Sequence, residues 1–247
     1  MKILFSPSET KFKGGQKSPV DKNSFIFPEL FKYREEAIDS YQSYIKNGTH
    51  EQLEKLFGTK KTEVIEYYKG DLFSKGVLKV INRYDGVAYD YLKYDSLKEI
   101  EQSYIDKNLL IFSNLFGPLL AGDIGIPDYK LKQGEKLGTL ALEKFYLEHF
   151  STSMDSFLED QSIVDLRAGF YEKFYKIKKQ YTTMKFIKDG KVVSHWAKAY
   201  RGIIVNQMAK NNIQTIEQLL NMEVENLKIK EIKEQKLKQE IVYDIIS

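Results

Sequence analysis

The chain of 247 residues contains no cysteine. It therefore offers no disulfide, no thiolate metal site and no cysteine nucleophile. Its three histidines, His50, His149 and His195, lie far apart and lack the spacing of a zinc motif. The glycine patterns of dinucleotide-binding and phosphate-binding loops and the GxSxG serine motif are also absent. We expect neither a metal site nor a cofactor, and no motif demands a particular reaction.

Long apolar runs are also missing, and none approaches the roughly 20 residues that a membrane-spanning helix needs. The N-terminal MKILF is too short for the apolar core of a signal peptide, and no small-residue cleavage site follows it. With 42% hydrophobic and 30% charged residues, the composition is typical of a globular protein with a sizeable core. We therefore expect a cytoplasmic protein that does not bind membranes.

The net charge of +3 is distributed unevenly along the chain. The segment from Arg167 to Arg201 holds ten basic and two acidic residues, a net charge of +8, whereas the remaining residues sum to −5. Clustered positive charge raises the local concentration of anions and indicates an anionic partner. The alternative is an ordinary lysine-rich surface that contacts only solvent.

Apolar patterns typical of strands and helices interleave along the chain without an internal repeat or a linker. This pattern predicts one compact domain over residues 1–247, of mixed α/β (α+β) class, with a mixed sheet covered by helices. Asp189-Gly190 between apolar runs predicts a β-hairpin. The tail from Ile213 is expected to hold two short helical pieces, and its final Lys/Glu run to be a helix or a frayed end. The predicted strands are 3–5, 109–112 and 163–166, and the predicted helices are 28–47, 50–57, 62–68, 137–150 and one from about Ala197.

The segment SHWAKAYRG places Lys198 and Arg201 three residues apart in the first turns of the predicted helix, which starts near Ser194 or Trp196. Residues at this spacing share one helix face. Basic side chains near a helix N-terminus add to the positive end of its dipole and cost stability, a cost that a bound anion offsets. The pair therefore predicts an anion site. His195 and Trp196 are more typical of packing than of chemistry.

The segment LFGTKK lies between two short predicted helices. A glycine at such a corner is typical of a helix-hairpin-helix, in which backbone N–H groups, here at Gly58, contact a phosphate and a lysine, here Lys60, adds charge. Lys60 stands where that motif usually has a second glycine. An ordinary helix corner capped by glycine explains the segment equally well.

The segment GDIGIPDYKL is glycine-rich and is predicted to be a loop. Its acidic residues Asp123 and Asp128 have the chemistry of a metal ligand or a general base. Two acids in a loop are, however, most often turn formers.

Several sequence blocks, in the same order across nearly the whole chain, resemble the YaaA family of bacterial peroxide-stress proteins. Where that family often has arginine, this chain has Leu120 and Asn206, and Glu9 stands where alanine or serine is frequent. The matching blocks are SPSETK from Ser6 to Lys11, RYDGVAYDYL with Tyr84, Gly86, Val87 and Tyr89, SNLFGPLLAGDIGIPDYKL with Ser113, Leu115, Gly117, Asp123, Pro127, Tyr129, Lys130 and Leu131, VDLRAGFY, and AKAYRG with Ala197, Lys198, Arg201 and Gly202.

The resemblance implies a cytoplasmic protein that limits oxidative, iron-linked damage under hydrogen peroxide. It also implies a single-domain α/β fold with a positively charged cleft, a helix-hairpin-helix and the ability to bind DNA. On that basis Lys198 and Arg201 would line an anion-binding cleft, joined by Arg167, Lys130 and Lys11.

Three functions are compatible with these observations. The favoured one is a DNA-binding stress protein, expected to be a monomer, with weak sequence preference and phosphate contacts from the basic cleft and from the corner at Gly58 and Lys60. The second is an enzyme acting on a phosphorylated or nucleotide substrate in the same cleft. The third is an iron-binding protein that uses carboxylates alone. The polar candidates for the enzyme are Ser6, Asp123, Tyr129 and Asp165.

Overall fold

The computed structural model describes residues 1–17, 20–193 and 195–246, and of His195 it describes the backbone alone. Within these ranges helices and strands interleave, which confirms the mixed α/β class. No described helix is both long and apolar enough to cross a membrane. The helices are α1 (Phe31–Asn47), α2 (His50–Phe57), α3 (Thr62–Lys69), α4 (Val80–Arg83), α5 (Val87–Leu92), α6 (Glu99–Asn108), α7 (Leu142–Leu158), α8 (His195–Lys210) and α9 (Ile216–Leu220). The strands are β1 (Lys2–Phe5), β2 (Val77–Lys79), β3 (Leu109–Ser113), β4 (Gly117–Leu120), β5 (Ile124–Pro127), β6 (Ile163–Asp165), β7 (Tyr181–Lys188), β8 (Lys191–Val192), β9 (Leu227–Gln235) and β10 (Lys238–Ile245).

The main sheet is mixed, with the strand order β4-β3-β1-β6-β7-β10-β9 and β8 paired to β7. Its five central strands, from β3 to β10, run parallel, and β4, β8 and β9 are antiparallel to their neighbours. A separate ladder joins β2 to β5. The mixed sheet predicted from the sequence is therefore confirmed.

The short N-terminal strand β1 lies near the centre of this sheet. It pairs with β3 on one side and with β6 on the other. Ile3, Leu4 and Phe5 are buried, as is every residue of β3, because central parallel strands are covered on both faces. Because β1, β3 and β6 run parallel, their carboxyl ends lie along the same side of the sheet. The chain therefore continues from all three strands on that side.

The predicted hairpin at Asp189-Gly190 and the predicted helix from about Ala197 are both confirmed. β7 and β8 form an antiparallel pair, and the turn residues Asp189 and Gly190 have φ values of 50° and 75°. Such left-handed values at both central positions are typical of the tight hairpin turn that Asp-Gly favours. Helix α8 then carries Lys198 and Arg201 in its first turns, while Ser194 lies outside the described residues.

The prediction for the C-terminal Lys/Glu run is wrong. After the short helix α9, β9 and β10 form a hairpin, and β10 adds in parallel to β7 of the main sheet. Lysine and glutamate favour helices, yet they also suit an edge strand such as β9, whose exposed charges discourage pairing with other chains. The buried Ile241, Val242 and Tyr243 give β10 its place in the core.

The glycine-rich segment after β3 is not simply the loop that the sequence predicts. The residues between β3 and this segment, Gly117–Leu120, return along β3 as β4. Ile124–Pro127 forms β5, which pairs with β2. The strands are short, and glycine and proline within them weaken the strand pattern that sequence reasoning relies on.

Candidate functional site: a basic pocket at the ends of β1 and β6

A pocket of about 400 Å³ opens at the carboxyl ends of β1 and β6. Its walls come from residues 6–10, which follow β1, from Leu166 and Ala168 after β6, from the start of α5 and from the first turns of α8. In parallel sheets, ligands bind in the crevice outside the carboxyl ends of the strands, where neighbouring chain connections diverge. The strand order places such a divergence at β1, because β3 and β6 flank it on opposite sides.

The close approach of α8 to α5 gives the pocket its basic wall. A Cβ atom built on Gly202 would lie 2.0 Å from the main-chain oxygen of Ala88, so only glycine permits this approach. Lys198 and Arg201 lie on the preceding turn and line the pocket. The AKAYRG block therefore combines a packing glycine with two cations that this packing positions.

Arg201 differs from the three other arginines of the chain. Arg34 and Arg83 are buried and donate to main-chain carbonyl oxygens. Arg167 is buried and donates to the Asp165 carboxylate and to two main-chain oxygens. Arg201 is half-buried in the pocket wall, and within the described part of the chain its guanidinium has no hydrogen bond or ion pair.

The environment of Arg201 lowers its pKa, chiefly because burial removes solvent from the charged group. The negative charges of Asp165 and Glu172 act in the opposite direction. A guanidinium remains charged at physiological pH in spite of such shifts, and its five N–H groups suit bidentate binding of a phosphate or carboxylate. A half-buried cation whose donors the described residues leave unused has the chemistry to bind an anionic ligand.

The predicted cleft residues Arg167 and Asp165 lie beside the pocket without lining it. They form a buried ion pair with Nη2 to Oδ2 at 2.8 Å, and the guanidinium also lies over the ring of Phe112. Both side chains are thereby occupied in holding the chain after β6. Neither leaves polar atoms available to a phosphate in this arrangement.

Residues 6–10 form a strap that is fixed at both sides of the pocket. The main-chain N–H of Ala168 donates to the Ser6 Oγ at 2.8 Å, and the Tyr89 hydroxyl donates to the main-chain oxygen of Ser6 at 2.9 Å. Ser6, a predicted polar candidate, therefore lines the pocket beside Lys198 and Arg201. The pocket brings together these three of the predicted site residues.

Lys11 is buried at the far end of this strap. Its Nζ lies 4.2 Å from the centroid of the Tyr129 ring and donates to the main-chain oxygens of Ser8 and Glu9 at 3.3 Å. Burial lowers the pKa of Lys11 to about 7, although the charge of Asp128 opposes the shift. Lys11 therefore supports the strap without lining the pocket.

Replacing Lys11 with methionine is expected to change the pH dependence of stability. The unfolded chain binds the Lys11 proton up to about pH 10.5, whereas the folded chain releases it near pH 7, so wild-type stability rises between these values. Relative to Lys11→Met, the wild type should gain roughly 3–4 kcal/mol from pH 7 to pH 10. Urea unfolding at pH 7, 8.5 and 10 measures this, with the exposed Lys13→Met as control. A pH-independent difference for Lys11→Met would contradict the shifted pKa.

The remaining cleft candidates lie elsewhere. Tyr129 is buried and its hydroxyl bonds with those of Ser113 and Tyr84. Asp123 accepts from the main-chain N–H groups of Ile26 and Leu120, and burial raises its pKa to about 6. Both serve the packing of the core.

Lys130 lies outside the pocket lining, with its Nζ 5.9 Å from the centroid of the Tyr68 ring. The neighbouring Asp128 is fully buried, and its carboxylate accepts hydrogen bonds from Tyr67 and Tyr68. Both residues therefore belong to a cluster around α3, and neither contributes to the pocket.

At the α2–α3 corner, Gly58 adopts a left-handed conformation with φ of 64° and closes the end of α2. Its N–H donates to main-chain oxygens of α2, and Thr59 continues the cap by donating to Glu54. This is the glycine cap that the simpler interpretation predicts. Lys60 is exposed and outside the pocket lining, so the helix-hairpin-helix stays a prediction.

Several polar pocket residues were missed as site candidates by sequence reasoning, and Glu9 and Gln133 are two of them. Glu9 is the only acidic side chain among the described residues that line the pocket, and its Oε1 accepts from the main-chain N–H of Gln133 at 3.2 Å. Gln133 itself completes this side of the pocket. The position of Glu9 within the SPSETK block was a usable signal. Nothing in the sequence around Gln133 marks it.

Comparison with known proteins identifies the family. The family model of the peroxide stress protein YaaA matches residues 1–233. The uncharacterized protein Cj0984 of Campylobacter jejuni is 51% identical over 246 residues, covering all of both chains. UPF0246 protein CE1889 of Corynebacterium efficiens is 34% identical over 216 residues, covering 85% of each chain, and UPF0246 protein Cgl1995 of Corynebacterium glutamicum is 33% identical with the same coverage. The chain therefore belongs to the YaaA family of peroxide stress proteins.

Proposed function

We propose that this peroxide stress protein binds DNA through phosphate contacts centred on Lys198 and Arg201. The observation that carries the proposal is the half-buried Arg201, whose guanidinium donors the described part of the chain leaves unused, beside the exposed Lys198. Contacts to the sugar-phosphate backbone carry no sequence information, so sequence preference is weak. In this proposal the protein acts in the cytoplasm and limits iron-linked oxidative damage by covering the DNA that such damage would strike.

The fold supports phosphate contacts from Lys198 and Arg201. The +8 segment from residue 167 to residue 201 reaches the pocket near both of its ends, at Ala168 and Tyr171 and at Lys198 and Arg201, and several of its other cations contact the protein itself. Arg167 pairs with Asp165, Lys178 pairs with Asp155, and Lys179 donates to main-chain oxygens at the end of α7. Lys198 and Arg201 have no such partner in the described chain, which makes them the first candidates for phosphate contacts.

The double variant Lys198→Ala/Arg201→Ala is expected to weaken DNA binding by about 10-fold or more at low salt. Each lost phosphate contact should also reduce the slope of log K against log[salt] by about 1, so the slope should fall by about 2. Fluorescence anisotropy with labelled duplex and single-stranded DNA across a salt series measures both quantities.

The matched control is Lys210→Ala/Lys228→Ala, which removes the same charge from exposed positions on α8 and β9. This control should leave the salt slope nearly unchanged. If both double variants weaken binding equally, the positive charge acts diffusely and the pocket is not the DNA site. If the wild type does not bind DNA, the proposal fails.

A second candidate function is binding or conversion of a small phosphorylated substrate such as a nucleotide. It is favoured by the size and place of the pocket, since about 400 Å³ at the ends of β1 and β6 suits a small ligand. A carboxylate at the rim, Glu9, would be its acid–base candidate, because Asp165 is held by Arg167 and Asp123 lies elsewhere. Specific binding of a mononucleotide in competition with DNA supports this candidate.

A further inference from the structure

The pocket has two chemically different walls. The α8 wall carries the cations Lys198 and Arg201, and the strap of residues 6–10 carries Glu9. Among the described residues, Glu9 forms no ion pair within 4 Å with either cation. Its carboxylate is instead held by the main-chain N–H of Gln133 at 3.2 Å, which leaves lone pairs available on both oxygens.

A carboxylate in an anion-binding pocket repels a ligand that is anionic throughout, because like charges in one site disfavour each other. The arrangement is favourable for an occupant with two ends. The anionic end would contact Arg201 and Lys198, and hydrogen-bond donors at the other end would contact Glu9.

The space between these walls has the character of a site for a sugar or a base. The apolar side chains of Phe5 and Leu166 and the ring of Tyr171 line it, together with the hydroxyl side chain of Ser8. A carboxylate that accepts from ribose hydroxyls, with the phosphate bound elsewhere in the same crevice, is a known solution in parallel α/β sheets. The chemistry of the pocket therefore matches a phosphate joined to a ring that bears neighbouring hydroxyl groups.

We infer that the pocket binds a ribonucleoside 5′-monophosphate, with the phosphate on Arg201 and Lys198 and the ribose hydroxyls on Glu9, and that Glu9 selects it over the 2′-deoxy form. This inference rests on the second candidate function and names its ligand class. Glu9 is a specificity residue in this scheme, and Arg201 supplies affinity for any phosphate ester.

The test compares adenosine 5′-monophosphate, its 2′-deoxy analogue and ribose 5-phosphate by isothermal titration calorimetry. The wild type should bind the ribonucleotide at least about 10-fold more tightly than the deoxynucleotide, since a hydrogen bond to a charged group is lost. Glu9→Ala should bind the two nucleotides equally and should bind the deoxynucleotide more tightly than the wild type does. Glu9→Gln, which keeps an acceptor for Gln133, should fall between them.

The matched control is Glu225→Ala, which removes an exposed carboxylate outside the pocket and should keep the wild-type preference. Equal wild-type affinities for the two nucleotides, or a preference that survives in Glu9→Ala, would overturn the role of Glu9. Failure of the ribonucleotide to bind would overturn the inference as a whole. Ribose 5-phosphate binding as tightly as the nucleotide would identify the ligand as a sugar phosphate and contradict the nucleoside part.

The variant Arg201→Ala tests the phosphate site separately from the role of Glu9. If Arg201→Ala leaves all three affinities unchanged, the anion site is elsewhere, and both the second candidate function and the present inference fall. If Arg201→Ala weakens all three ligands while the ribose preference is absent, the anion site stands and only the role of Glu9 is lost.

Discussion

Gly202→Ala is expected to destabilise the protein by about 3 kcal/mol or more. The new methyl group would lie 2.0 Å from the main-chain oxygen of Ala88 and 2.9 Å from the main-chain nitrogen of Leu92, and backbone atoms cannot rotate away as a side chain does. Alanine stabilises an isolated helix by about 1 kcal/mol relative to glycine, so the clash must exceed this gain. Urea unfolding followed by circular dichroism measures the net effect.

The matched control is Gly70→Ala, at the end of α3. Its new Cβ would come no closer than 3.6 Å to another atom, and the φ of −65° is accessible to alanine. We expect a change within about 1 kcal/mol. If Gly202→Ala were as stable as this control, α8 would not pack on α5 as described. In a folded fraction of Gly202→Ala, displacement of α8 should also weaken the proposed DNA binding, because Lys198 and Arg201 would move with the helix.

Arg167→Met is expected to cost about 3–5 kcal/mol, the second large effect. The substitution leaves the Asp165 carboxylate buried without its bidentate partner, and the main-chain oxygens of Tyr171 and Tyr175 each lose a donor. Removing one member of a buried pair is costly because the other charge stays in a poorly solvated place. Chemical denaturation at neutral pH gives the free energy of unfolding.

An exposed ion pair serves as the comparison. Lys178 pairs with Asp155 at 2.6 Å, yet its side chain is 67% exposed, so Lys178→Met should cost at most about 1 kcal/mol. The double variant Arg167→Met/Asp165→Leu should recover part of the loss, since no buried charge remains. Equal costs for Arg167→Met and Lys178→Met would show that the 165–167 pair is solvated and that Arg167 is open to ligands.

The positions of Lys198 and Arg201 followed from the sequence because helix periodicity alone decides which residues share a face. The Asp189-Gly190 hairpin followed from a turn whose geometry few other residue pairs adopt. Such local rules also gave β1, β3, α2 and α3 within a residue or two. Local rules predict pocket residues only where these residues lie close together in the chain.

The burial of a side chain and the identity of its hydrogen-bond or ion-pair partners could not be predicted from local patterns. Arg167 and Arg201 are equally basic in the sequence, yet Arg167 pairs with Asp165, whereas the described residues give the Arg201 guanidinium no hydrogen bond or ion pair. The difference depends on which segments the fold brings around each side chain. Lys11 shows the same point, since its burial against Tyr129 requires a residue 118 positions away.

The C-terminal hairpin was missed because local preference and tertiary context disagree. Lys/Glu-rich β9 has the composition of a helix, and its strand form depends on pairing with β10. The β-branched run around Ile241 and Val242 was the available signal for a buried strand. Weighing that run above the charge pattern would have predicted the hairpin.

The central position of β1 determines when the site can exist during synthesis. β1 needs β3 and β6 as neighbours, and the pocket needs Arg201 from α8, so residues near the start of the chain wait for residues about 200 positions later. At roughly 5–20 residues per second, a ribosome takes on the order of 10–40 s to reach α8. Contacts of such long sequence separation also slow folding, because the loops between them must close first. A nascent or truncated chain that ends before α8 thus lacks both cations of the pocket, and the proposed anion binding would report only on chains that extend through α8.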